Sequence, residues 1–139
     1  MSDAETYRLD DQIGYILRRV TQRHLSIFAA AIPEVTTTQF AVLARLAEIG
    51  PVSQNQLGRA TAMDAATITC VVDRLAKLGY LATSADPADR RRLTVSLTEA
   101  GTKLFAARAA TALQVSQDTM APLTADEART LQALLLRLT

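Results

Sequence analysis

The sequence predicts a mainly α-helical chain that carries one small β-hairpin. Three observations lead there. Apolar residues recur at three- and four-residue spacing over most of the length. Ser, Thr or Asp stands just ahead of most of those stretches, in the position of a helix N-cap. Between Gly79 and Thr98 alone, the period drops to two.

The first long element runs from about Arg8 to Ile32. Its apolar positions, Ile13, Ile16, Leu17, Val20, Ile27, Phe28 and Ala31, form one stripe of a helix that Pro33 ends. So short a chain has little left to cover such a stripe, and a partner helix is expected. Thr37 or Thr38 is expected to cap a second helix bearing Phe40, Val42, Leu43, Leu46 and Ile49, stopped by Gly50-Pro51. Ser53 caps a short helix reaching about Ala62, with Gln56 placed for a capping box. Asp64 caps the next helix, and Gly79 ends it. One side of that helix gathers Ile68, Val71, Val72, Leu75 and Leu78. The other shows Ala66, Thr69, Cys70, Asp73 and Lys77, with Arg74 on the flank.

Tyr80 to Ser84 then reads as a strand and Asp86-Pro87-Ala88-Asp89 as a turn. Leu93, Val95 and Leu97 read as the buried face of a second strand, making a hairpin with a charged tip. Thr98-Glu99-Ala100-Gly101 opens a long helix to about Met120, broken by Pro122. Thr124, with Glu127 three residues on, caps a last helix whose apolar face is Leu131, Leu134, Leu135 and Leu138.

The totals narrow the function classes. At 139 residues the chain has the size of one domain, or of one domain with long helices that need a partner. Hydrophobic residues make up 49%, enough to argue against global disorder. The net charge of +1 does not by itself point to nucleic acid, but the charge is segregated. Asp3, Glu5, Asp10 and Asp11 crowd the start. Arg18, Arg19 and Arg23 follow with no acid among them, and Arg90, Arg91 and Arg92 form a second basic cluster. The single cysteine, Cys70, excludes a disulfide framework and a Cys-rich zinc site, so no metal is expected. An acidic start without an apolar core is no signal peptide, and no apolar run approaches the roughly 20 residues of a membrane span. A soluble cytoplasmic protein is expected.

Neither an enzyme nor a cofactor is expected. There is one histidine, no HExxH pair, no phosphate loop and no nucleophile elbow. The carboxylate pairs Asp10-Asp11 and Asp126-Glu127 sit at helix starts, where the helix dipole accounts for them.

The order of the central elements is more informative. A helix, a short helix, a third helix and a basic hairpin follow one another. Two helices joined by a tight turn place the second in a DNA major groove, and the hairpin beside them reaches the minor groove or phosphates. From Val52 to Gly101 the sequence reads VSQNQLGRATAMDAATITCVVDRLAKLGYLATSADPADRRRLTVSLTEAG. This stretch resembles the MarR family of bacterial winged helix-turn-helix transcription regulators. The closest matches are VVDRLAKLGYL and DPADRRRLTVSLTEAG, the latter joining the wing turn, the second wing strand and the next helix start. The flanking helices fit that family's dimerisation region.

The resemblance implies a mainly α homodimer with a small β-hairpin wing. Residues 1–36 are an N-terminal dimerisation helix, 37–98 a winged helix-turn-helix, and 99–139 the C-terminal dimerisation helices. It implies a repressor of a pseudo-palindromic operator, with recognition helices in successive major grooves about 10 base pairs apart. Ala65 and Ala66 let the recognition helix approach the bases. Thr67 and Thr69 offer hydroxyls, and Ser53, Gln54 and Asn55 begin the preceding helix near a phosphate. Arg74 and Lys77 are phosphate candidates. Arg90 and Arg91 are the wing contacts, with Asp89 pairing one of them to shape the tip. The chain departs from many family members at Ala65, Cys70, Thr83 and Ser84, where further basic residues are common. That implies modest non-specific affinity and a shallow salt dependence.

The first helix, DDQIGYILRRVTQRHLSIF, more loosely resembles members that govern aromatic-acid catabolism. It places His24 on the apolar stripe, flanked by Arg18, Arg19 and Arg23. An imidazole beside a guanidinium suits a carboxylate and a ring hydroxyl. Arg18 and His24, lined by Tyr15, Phe28 and Phe40, are therefore the expected effector site for a small aromatic acid. A plainer role for His24 is that of a satisfied core or interface histidine, with the arginines paired to Asp10 and Asp11. The same residues also fit a DNA binder without a ligand, a protein-interaction module on the same fold, or a redox switch at Cys70. Cys70 has no thiolate stabiliser beyond Arg74, and redox cysteines of relatives usually lie in the first helix.

Overall fold

The computed structural model describes residues 2–139. A one-turn helix, α1 (Asp3–Thr6), and a 3-10 turn over Leu9–Asp11 precede the first long helix, α2 (Ile13–Ala31). The long helix thus begins five residues later than the expected Arg8. Gln12 is extended, with φ −85° and ψ 129°, and its backbone N–H is spent on Leu9 O at 3.0 Å. Asp10 and Asp11, poor formers of helix interiors, lie in the tight turn instead.

Helix α3 (Thr37–Ile49) is capped by Thr36, not by Thr37 or Thr38. Of three consecutive threonines, Thr36 is the one with a glutamine three residues on. Its hydroxyl accepts from Gln39 N at 3.2 Å, and its own N–H donates to Gln39 Oε1 at 2.9 Å. Gly50 takes φ +76° to end the helix.

A two-residue strand follows, β1 (Val52–Ser53), which the period of the sequence does not reveal. Helix α4 (Gln54–Ala60) has the expected Ser53–Gln56 capping box and stops two residues short of Ala62. Helix α5 (Ala65–Lys77) starts on Asp64, whose Oδ1 accepts Thr67 N at 2.7 Å. That bond holds the Asp64 carboxyl below its ordinary pKa. Past Leu78, Gly79 at φ +85° closes the helix: Gly79 N donates to Ala76 O and Tyr80 N to Leu75 O, both at 3.0 Å.

Strands β2 (Leu81–Ala85) and β3 (Leu93–Leu97) form the hairpin, and β1 pairs with the far edge of β3, Val52 opposite Val95. The sheet order is β1-β3-β2, all antiparallel. Helices α6 (Glu99–Thr119) and α7 (Ala125–Leu136) complete the chain. The hairpin is therefore the outer part of a three-stranded sheet that is tied back to the start of α4. The fold is mainly helical with a small β wing, as the sequence predicts.

The core lies where α3, α4, α5 and β3 meet. Val42, Leu43, Leu57, Leu75 and Val95 are wholly buried there, joined by Ile32 from the end of α2 and Val115 from α6. Leu78 and Leu93, expected on buried faces, are exposed. Leu78 falls beyond the last helical residue, and Leu93 opens β3 at the wing. The apolar stripe of α2 is uncovered along its first half: Ile13 is 63% exposed and Val20 47%. Helix α7 buries no residue, and Leu134 and Leu138 stand 50% and 73% exposed. These two helices present apolar surface that their own chain does not cover.

The wing and α6 are joined by a close backbone approach. Thr98 caps α6 by accepting Gly101 N at 3.1 Å and donates its hydroxyl to Gly79 O at 2.6 Å. A Cβ on Gly101 would stand 2.1 Å from Tyr80 O, a backbone atom with no freedom to move away. Gly101→Ala should therefore destabilise the fold at or above the ~1–3 kcal/mol typical of overpacking. Thermal unfolding checks this, and a variant as stable as wild type would mean the wing and α6 separate easily.

Candidate functional site

Two groups of residues stand out, one on the surface of the winged module and one between it and the long helices. On the surface, Ala65, Ala66, Thr67, Thr69, Cys70 and Asp73 form the exposed side of α5. The opposite side, Ile68, Val71, Val72 and Leu75, is buried, so the core itself fixes which side faces outward. Lys77 is exposed in the last turn. Arg74 turns instead to the junction with α2, bordering a groove with Leu25, Glu34 and Gln39.

The wing tip is shaped by carboxylates that accept backbone N–H groups. Asp86 Oδ1 accepts Ala88 N at 2.9 Å, and Asp89 Oδ1 accepts Arg91 N at 3.0 Å. Asp89 thus shapes the tip through the main chain, not by the guanidinium pairing expected from sequence. Among the described residues no carboxylate pairs with Arg90, Arg91 or Arg92. Because β1 ties the sheet to α4, Arg91 and Arg92 come beside Ser53, Gln54 and Asn55 around a hollow of about 90 Å³. Arg92 thereby joins the expected pair Arg90 and Arg91. The alternation of β3 gives no hint of it, since the two-residue β1 creates that neighbourhood.

The second group lines a cavity of about 430 Å³ between α2, α3 and α6. All three phenylalanines of the chain, Phe28, Phe40 and Phe105, are on its wall. Phe28 meets Phe40 edge-on at 5.9 Å, and Phe40 meets Phe105 at 5.6 Å. Its polar groups are His24, Thr37 and Ser116. A mostly apolar wall with a few polar groups, at this size, is the usual character of a small-molecule site.

His24 is half-buried rather than buried, and its Nδ1 lies 2.8 Å from Thr119 Oγ1. Thr119 Oγ1 is also 2.9 Å from Val115 O. With the one hydroxyl proton assigned to that carbonyl, Nδ1 is the donor to Thr119, and in that neutral tautomer of His24 the Nε2 atom is a hydrogen-bond acceptor. Beside it, Arg23 donates to the last carbonyls of α6, Asp118 O at 2.9 Å and Thr119 O. Arg23 is thus a helix cap that locks α2 to α6.

Of the expected effector residues, the structure brings together His24, Phe28 and Phe40. Arg18 and Tyr15 do not line the cavity. Arg18 lies six residues before His24, about 120° away around the helix, and Tyr15 nine residues before, about 180° away. Phe105 is beyond the reach of the sequence pattern, because α6 carries no motif at that point.

The connection between α2 and α3 is also tied to α6. Arg108 Nε and Nη2 donate to the two oxygens of Glu34 at 2.6 and 2.7 Å. Those bonds hold the Glu34 carboxyl below its ordinary pKa of 4.5 and raise Arg108. Glu34 binds its proton less readily in the folded chain than in the unfolded one. Its contribution to stability is thus complete above about pH 4.5 and is lost as pH falls through the depressed value.

A sequence model of the MarR family matches residues 35–93. The chain is similar to the transcriptional repressor NicR of Pseudomonas putida, 42% identical over 127 residues, which is 90% of this chain and 80% of NicR. It is similar in structure to a probable transcriptional regulator from Pseudomonas aeruginosa, with a TM-score of 0.91 and 53% identity, covering 95% of this chain and 100% of that one. A third similar protein is BpsR of Bordetella bronchiseptica, whose DNA binding is regulated by 6-hydroxynicotinic acid. There the TM-score is 0.85 and the identity 39%, over 92% of this chain and 98% of that one. Among the described residues no helix is long and apolar enough to cross a membrane.

The Glu34–Arg108 pair makes a direct prediction. Glu34→Gln should lower the melting temperature at neutral pH, and the gap to wild type should close as pH falls below about 4.5. Melting curves from pH 3 to 7 check this, and a constant gap would place the effect elsewhere.

Proposed function

The chain belongs to the MarR family of transcription regulators, and on that footing we propose that it is a homodimeric repressor released from DNA by a small aromatic acid. The observation that carries this reading is the His24 cavity. It lies between α2 and α6 on one side and α3 of the winged module on the other, and α2 is one of the two helices with an uncovered apolar stripe, so a ligand there touches both the long helices and the module.

The uncovered faces of α2 and α7 are the dimer seam. Residues 1–36 and 99–139 supply it, and residues 37–98 are the DNA-binding module. Two such modules meet a pseudo-palindromic operator. The exposed side of α5, with Ala65, Ala66 and Thr67, enters the major groove. Arg90 and Arg91, with Arg92, reach the minor groove or its phosphates. Ser53 and Asn55 at the start of α4 hold the backbone, and Lys77 adds a flanking phosphate contact. Arg74 serves the junction with α2 more than the duplex. The protein works by binding and not by turnover, in the cytoplasm.

A hydroxylated aromatic carboxylate is the effector class, of the kind that regulates BpsR. The phenyl rings take its ring, and the Nε2 acceptor of His24 takes a hydrogen bond from its hydroxyl. Arg18 lies on the uncovered flank of α2, and dimerisation carries it to the mouth of a cavity, where it takes the carboxylate. The effector acts only if it binds one spacing of the two recognition helices more tightly than the other. The cavity, filled, favours the spacing that the operator does not.

Fluorescence anisotropy with DNA from the protein's own upstream region, at ~100 mM salt, tests the reading. One dimer should bind per site, and one hydroxylated aromatic acid should weaken binding while its ester does not. His24→Phe should keep operator affinity and lose most of the response, and Arg18→Met should lose the preference for acid over ester. Replacing Arg90 and Arg91 with Gln should lower affinity and flatten the salt dependence by about one phosphate contact per arginine. Binding that no acid changes would remove the effector. Binding without sequence preference would remove the regulator.

A further inference from the structure

Thr69 stands in the middle of the exposed side of α5, where a free hydroxyl would meet a base edge. Its hydroxyl is not free. It donates its one proton to Ala65 O at 2.8 Å and accepts from Gln54 Nε2 at 3.1 Å. A threonine hydroxyl has one proton and two acceptor sites. Thr69 is therefore left with no donor and a single lone pair, a poor reader of any base.

The consequence falls on Gln54. It is the first residue of α4 and half-buried. One N–H of its amide is held by Thr69, across the gap between the two helices of the motif. The second N–H and the carbonyl oxygen have no partner among the described residues. An amide with one donor and one acceptor side by side is the group that pairs with adenine, at N7 and the N6 amino group. The glutamine side chain is otherwise flexible, and its bond to Thr69 removes much of that freedom before DNA arrives. The neighbouring hollow already has Arg91 and Arg92 for a phosphate, so the amide is not needed as an anion contact there.

We propose that Gln54 is a base-reading residue of this protein, specific for adenine, and that Thr69 is its positioning residue. The proposal rests on the DNA-binding reading above and refines it. The helix before the recognition helix carries sequence information, and the recognition helix holds it in place.

The test measures affinity for a panel of operators, each with one base pair changed, for wild type, Gln54→Ala, Thr69→Val, Thr69→Ser and the Gln54/Thr69 double variant. Valine has the shape of threonine and a similar helix propensity, and thermal unfolding establishes that Thr69→Val is folded. Wild type should discriminate for adenine at one symmetric position by roughly 5- to 100-fold. Gln54→Ala and Thr69→Val should each lose that discrimination at the same position and keep it elsewhere. The double variant should be no worse than either, and Thr69→Ser should behave as wild type. Thr69→Val with unchanged discrimination would overturn the proposal while leaving the regulator intact. So would a loss spread evenly over all positions, the mark of a phosphate contact, or effects of the two substitutions that add. A wild-type protein with no preference anywhere would overturn the regulator reading and this proposal together.

Discussion

Helix α2 is fastened to α6 on one side and uncovered on the other, and the rest of the molecule is arranged around that asymmetry. On the fastened side Arg23 caps the end of α6, His24 binds Thr119, and the segment after α2 is clamped by the Glu34–Arg108 pair. These contacts join residues more than seventy positions apart, so they fix the long helices relative to each other before any partner arrives. On the other side, the exposed isoleucines, leucines and valine have no cover within the chain. Burial of apolar surface is the main favourable term in association, which is why the homodimer is central to the proposed function.

The cavity inherits its character from the same arrangement. Its walls are the inner faces of α2, α3 and α6, and its single imidazole belongs to the latch between α2 and α6. A ligand that hydrogen-bonds to His24 therefore engages a residue whose other nitrogen already holds α6. Packed helices respond to such a contact by shifting between discrete arrangements rather than by deforming locally. The buried core around Leu43, Leu57 and Leu75 is continuous with Ile32 at the end of α2 and Val115 of α6, so a shift of the long helices is passed to the winged module through packed side chains. The ligand then does not have to reach the recognition helix to change how two of them are spaced.

Much of the fold is legible in the sequence because its punctuation is local. Ser53 with Gln56, Asp64, Thr98, and Thr124 with Glu127 each announce a helix within four residues, and Gly50 and Gly79 end two. Where two signals compete, the pattern is ambiguous. Three threonines in a row hide which one caps α3, and the acidic pair at Asp10 and Asp11 looks like a first helical turn. The strand β1 is two residues long, too short for any period, yet it decides that Arg92 faces Gln54.

The site is half legible. His24, Phe28 and Phe40 lie on apolar stripes of adjacent helices and can be found, but Phe105 and Arg108 come from a helix without motif, and long-range pairing is silent in a single sequence. Arg18 and Tyr15 have suitable chemistry, and the helical angle carries them to other sides of α2. Thr69 carries a hydroxyl that suits a DNA contact, and only the fold shows that hydroxyl already engaged.

If a ligand in the His24 cavity resets the distance between two recognition helices, that distance is the quantity to measure. The chain offers one probe for it, because Cys70 is its only cysteine and is exposed on α5. A nitroxide on Cys70 gives a dipolar signal only when two chains associate, and the distance reports the spacing of the helices directly. A defined distance is predicted in the free protein, on the scale of one turn of B-DNA, ~34 Å. It should shift when a hydroxylated aromatic acid saturates the protein and stay unchanged with the ester. No dipolar signal, or the same distance distribution with and without every acid that binds, would contradict the proposed mechanism.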